Sequence, residues 1–101
     1  MTTEQAGIND DQPYTLRWEC LDRALKIVTQ DRNVTYGSPE DNFLRIAMLW
    51  AVMFPEVAWT PAKVALALDA VKTARLLNNE GHADSWIDKA GYAACGYEVK
   101  P

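Results

Sequence analysis

Five charged residues in the second half of the chain have the types and spacing to do chemistry. Asp69, Lys72 and Arg75 interrupt the run VALALDAVKTARLL (64–77) at steps of three, and Asp84 and Asp88 stand one helical turn apart in DSWIDKAGY (84–92). Charges are rarely buried without partners. Arg75 falls on the stripe Val64, Leu68, Val71, Arg75 and is expected to point inward, at least with its stem. If the two segments are antiparallel helices, Asp84 and Asp88 return beside Arg75 and Lys72, giving three carboxylates and two cations. Two roles fit that cluster. In one, Lys72 and Arg75 hold phosphate oxygens, while Asp84 and Asp88, with Asp69, hold one Mg²⁺, a cation that takes few protein ligands beside substrate oxygens. In the other, the charges form a structural network that sets helix register. The residues alone leave both open.

Four helices must position them. Trp18, Leu21, Leu25 and Val28 step by three and four, which predicts a helix over 15–30 with that face inward. A second helix starts where Ser38 caps, Pro39 takes the first position and Asp41 follows three after the cap. Its face reads Phe43, Ile46, Ala47, Trp50 and Met53, and it stops at Phe54-Pro55. Thr60 and Pro61 start a third helix, which runs to about Leu77 and is apolar on every side, the mark of a central helix. The fourth begins near Asp84 as cap and carries Trp86, Ile87, Ala90, Ala94 and Tyr97. Its small residues, Gly91 among them, allow a neighbouring helix to come close. Trp18, Trp50 and Trp86 read as core, and Trp59 as a staple at the third helix's entry. No period-two alternation competes. The expected fold is an all-α four-helix bundle over 14–101, a single helical domain preceded by a disordered polar tail over 1–13.

Composition narrows the function. At 101 residues with 49% hydrophobic content and four Trp, one core is affordable without staples. A net charge of −4 argues against a nucleic-acid groove or an anionic membrane surface. The start MTTEQAGINDDQP has no basic-then-apolar leader pattern, and no apolar run reaches membrane-span length, so a cytosolic protein with two ordinary thiols, Cys20 and Cys95, is expected. His82, the single His, precedes the fourth helix and reads as an exposed loop residue.

The stretch DRNVTYGSPEDN (31–42) joins the first two helices. Gly37, Ser38, Pro39 and Asp41 are explained as helix punctuation; Asp31, Arg32 and Tyr36 are not needed for that. Asp31-Arg32-x-x-x-Tyr36-Gly37, then Pro39, Asn42, Phe43, Ile46, Ala47 and Leu49-Trp50, then Lys72-x-Ala74-Arg75 and Asp84-x-Trp86-x-Asp88-x-x-Gly91-Tyr92, is an order that resembles a family of small phage and prophage proteins known as a domain of unknown function. The resemblance covers about residues 16–98 and implies a virus-encoded protein acting in the host cytoplasm. More distantly, the order is similar to a phage nucleotide-modification family near the all-α, MazG-like nucleoside triphosphate pyrophosphohydrolases. That likeness implies a MazG-like bundle, carboxylate-held Mg²⁺, cleavage between α- and β-phosphates, and a homo-oligomer. The chain departs from the MazG pattern in having no Glu-x-x-Glu; its nearest pair is Asp84 and Asp88.

Two functions follow. In the first, the protein binds or hydrolyses a nucleotide, with Lys72 and Arg75 on the phosphates, Asp69, Asp84 and Asp88 on Mg²⁺, and Arg32 and Tyr36 closing the site from the loop. In the second, it is a non-enzymatic module that binds a host protein, and the charged cluster is scaffold. Whether it is an enzyme stays open between them.

Overall fold

The computed structural model describes residues 15–31 and 37–101. These form four helices: α1 (Thr15–Lys26), α2 (Pro39–Met53), α3 (Pro61–Asn78) and α4 (Ala83–Val99). The chain beyond α1 continues helically as a wider turn, Ile27–Asp31, in which hydrogen bonds span five residues. Among the described residues there is no strand. Arg32, Tyr36 and the expected tail lie outside the described residues.

Local chemistry starts the helices as the sequence predicts. Ser38 Oγ accepts a hydrogen bond from Asp41 N at 3.2 Å, and Thr60 Oγ1 accepts one from Lys63 N at 3.1 Å. Each cap is followed by Pro at the first helical position, where its missing N–H is no loss. Gly37 sits at φ +82°, in the left-handed region, and turns the chain into the Ser38 cap. The α4 cap is His82 rather than Asp84, which lies in the first turn. Asp84 still suits that turn, because a carboxylate there opposes the positive end of the helix dipole.

Helices α3 and α4 form an antiparallel hairpin that is the spine of the fold. Helix α2 packs on α3 and touches α4, whereas α1 rests on α4 alone. The helices therefore do not form a closed bundle: α1 and α2 do not touch each other, although Val28, just beyond α1, packs against the core that α2 helps to build. The core gathers Phe43 and Ala47 of α2, Val64 and Ala65 of α3, and Cys95 of α4. Trp59 packs against this cluster and meets Trp50 edge-to-face at 4.9 Å, which agrees with its reading as a staple.

Several side chains point elsewhere than their periodicity predicts. On α1 the buried residue is Ala24, while Trp18, Leu21 and Leu25 are exposed. Val28, the fourth residue of the expected face, does turn inward: it packs against the core, and a Cβ on Gly91 of α4 would stand 3.2 Å from its Cγ1. Trp86 is half exposed, its indole donating to the Glu80 carbonyl at 2.8 Å, so it ties down the α3–α4 turn and is not core. Tyr97 and Met53 are likewise exposed. Helix α3 is apolar all round, yet Leu66, Val71 and Leu77 face outward.

Candidate functional site

The α3–α4 hairpin sets the register of the charged residues. The inward stripe of α3 runs Val64, Leu68, Lys72, Leu76, not Val64, Leu68, Val71, Arg75. Lys72 thus turns inward and Arg75 is exposed, contrary to expectation. Lys72 Nζ reaches Asp88 Oδ2 across the seam at 2.9 Å, with its side chain only 14% exposed. One rung along, Lys89 Nζ donates to both carboxylate oxygens of Asp69, at 3.0 and 2.9 Å, and to Thr73 Oγ1 at 2.6 Å.

These rungs lie on opposite edges of the seam. Asp88 borders a narrow cleft with Ala24 of α1 and Val28 of the turn that follows it, and Asp69 borders a separate groove with Leu66, Ala93 and Tyr97. Asp84 is elsewhere again, 3.6 Å from Arg23, which in turn stands 3.8 Å from Glu19. The expected convergence of Asp69, Asp84 and Asp88 on Lys72 and Arg75 is thus not what the fold builds. Each carboxylate faces its own cation, because a straight antiparallel seam spreads charges along its length instead of focusing them. Among the described residues no group of three His, Cys, Asp or Glu is placed to hold a metal.

Sequence reasoning missed Lys89, which takes the Asp69 partner expected to serve a metal. The signal was available: two oppositely charged pairs, Asp69/Lys72 and Asp88/Lys89, read in reverse order on antiparallel helices. It also missed the contact between His82 Nδ1 and Ser85 Oγ, 2.8 Å apart, which gives the fully buried Ser85 hydroxyl a partner. Arg75 has no ion-pair partner among the described residues. It borders a shallow groove of about 560 Å³ with Asn78, Asn79 and His82.

An open concavity lies where α1 meets the start of α4. About 660 Å³ in volume, it is walled by Leu16, Leu21, Trp86 and Ile87, with Cys20 between them. Its rim carries Arg17 and the bridge Glu19–Arg23–Asp84. An apolar floor inside a charged rim is the anatomy of a surface that docks another molecule.

The arrangement is that of a small all-helical protein whose paired charges tie helices together while large apolar side chains face out. The chain belongs to the family described as a domain of unknown function, DUF6378, whose model matches residues 19–100. It is similar to the Gene 55 protein of Mycobacterium phage L5, 38% identical over 73 residues, which are 72% of this chain and 47% of that protein. The Gene 55 protein of Mycobacterium phage D29 is 36% identical over 75 residues, 74% of this chain and 49% of that one. The chain therefore spans about half the length of the curated relatives it matches. No solved structure matches. These matches agree with the phage-family resemblance; they give no support to the MazG-like one. No helix among the described residues is long and apolar enough to cross a membrane.

Proposed function

We propose that this protein is a non-enzymatic interaction module that binds a host protein in the cytoplasm of an infected cell. The observation that carries this reading is the open apolar groove between α1 and α4, with Trp86 and Leu21 outward inside a charged rim. A groove between two helices is shaped to take a third, amphipathic helix, whose apolar face would cover Leu16, Leu21 and Trp86. The paired Lys72–Asp88 and Asp69–Lys89 rungs are scaffold in this reading. Capture from host lysate tests it. One stoichiometric partner is expected, lost with Leu21→Asp or Trp86→Ala and kept with Lys72→Met. Capture that ignores the groove substitutions overturns it.

The nucleotide reading keeps one supporting observation: Arg75, unpaired by any described acid, beside His82, Asn78 and Asn79. There the guanidinium would take phosphate oxygens, and Mg²⁺ would arrive with the phosphates. For Asp69, Asp84 and Asp88 to ligate that ion they would have to leave Lys89, Arg23 and Lys72. Calorimetric titration with nucleotides and Mg²⁺ decides between the readings: binding abolished by Arg75→Gln would favour this one, with or without turnover.

A further inference from the structure

The outer face of α2 has a different character from the groove. From Ile46 to Pro55 the sequence is IAMLWAVMFP, ten residues without a polar side chain. The side of α2 turned to the core carries Phe43 and Ala47 with flanking Ile46 and Trp50, and Pro39 is buried at its start. The opposite side leaves Leu44, Met48, Leu49, Val52 and Met53 between 51% and 81% exposed, with Phe54 behind them at 46%. Arg45 is the single charge on the helix beyond its first turn. A helix apolar on all sides is a buried helix, and α2 is covered on one side only.

We infer that this face of α2 is the interface of a homodimer, covered by a second copy of the same chain. Two observations commit it to that occupant. The first is area. The six side chains present on the order of 700 Å² per copy, close to the roughly 800 Å² per partner of a standard interface. A pair would therefore clear the size that separates specific association from casual contact. The second is chemistry. Interfaces that form and dissolve are no more apolar than the rest of a protein surface, whereas homodimer interfaces are more apolar and poor in charge. Such a face needs covering from the moment of folding, and the partner always present then is another copy. A two-fold pair is the simplest closed arrangement, burying the same stripe from both sides. The α1–α4 groove, with its charged rim, lies outside this contact and stays open, so the inference does not rest on the proposed function.

Light scattering on the eluting full chain, over a wide range of concentration, tests it. The wild-type chain is expected at twice the chain mass. Met48→Asp with Val52→Asp is expected at the single-chain mass with its helical circular dichroism retained, since both side chains are exposed in one copy. Leu21→Asp, in the groove, is expected to leave the dimer intact. Hydrogen exchange needs no substitution: protection across 43–54 should rise with concentration while that of α1 does not. A wild-type chain at single mass throughout, or a dimer indifferent to the α2 substitutions and split by Leu21→Asp, overturns the inference. A single-mass chain that still captures a host protein through the groove would leave the proposed function standing.

Discussion

Lys72 lies on the same stripe of α3 as Val64, Leu68 and Leu76, and its ammonium reaches Asp88 at 2.9 Å. Its side chain is 14% exposed and that of Asp88 33%, so the pair sits between the surface and buried limits. Surface pairs contribute about 0–1 kcal/mol, and breaking a fully buried one costs about 3–5 kcal/mol. Lys72→Met is therefore expected to destabilise the fold by about 2 kcal/mol in urea unfolding, because Asp88 is left charged and unpaired. Adding Asp88→Leu should recover most of that loss. A phosphate-binding Lys72 would behave differently, losing ligand affinity in the single variant without regaining it in the double. Lys89→Met should cost about 1 kcal/mol, since Lys89 is more exposed than Lys72 although it also holds Thr73.

The helices begin where three-residue chemistry says they begin. Ser38→Ala and Thr60→Ala should each cost about 1 kcal/mol in thermal or urea unfolding, because each hydroxyl satisfies one otherwise orphaned N–H. How α1 attaches is a separate matter. It touches only α4, and Gly91 lets Val28 approach. Gly91→Leu would fill that space and push α1 off the spine. Hydrogen exchange should then rise across 16–29 while 61–78 keeps its protection, because the α2–α3 contact does not involve α1. Exchange rising equally in all helices would mean that α1 is not an independent outer element.

At the scale of the molecule, the buried core is small and the outward apolar surface is large. Leu44, Met48, Leu49 and Val52 are exposed on α2, and Leu16, Leu21 and Trp86 around the α1–α4 groove. If α2 is covered by a second copy, association and folding are linked, and the thermal midpoint should rise with protein concentration. A concentration-independent midpoint with the chain at single mass would mean that each copy folds on its own core. The two faces should also separate in experiment: groove substitutions should alter partner capture without altering mass, and α2 substitutions the reverse.

Helix number, the caps at Ser38 and Thr60, the Pro-led starts and the Trp59 staple were legible in the residues themselves. They depend on hydrogen bonds and contacts within a turn or two of the chain, which local sequence specifies. The inward face of α2 was legible too, since Phe43 and Ala47 meet α3 along one clear stripe. What periodicity could not supply was which neighbour each remaining helix would have and how near it would come. On α1 the sequence offers both a large stripe, Trp18–Leu21–Leu25–Val28, and a small residue, Ala24, and packing on α4 buries Ala24 and leaves all of the stripe but Val28 exposed. On α3 a one-position difference in register turns Lys72 in and Arg75 out. The charged residues were correctly seen as interacting, but their partners are a property of the antiparallel seam, which sets Lys72 against Asp88 and Asp69 against Lys89. Burial is a relation between elements far apart in sequence, so it was the packing that turned an expected cluster into two separate rungs and left the apolar faces outward.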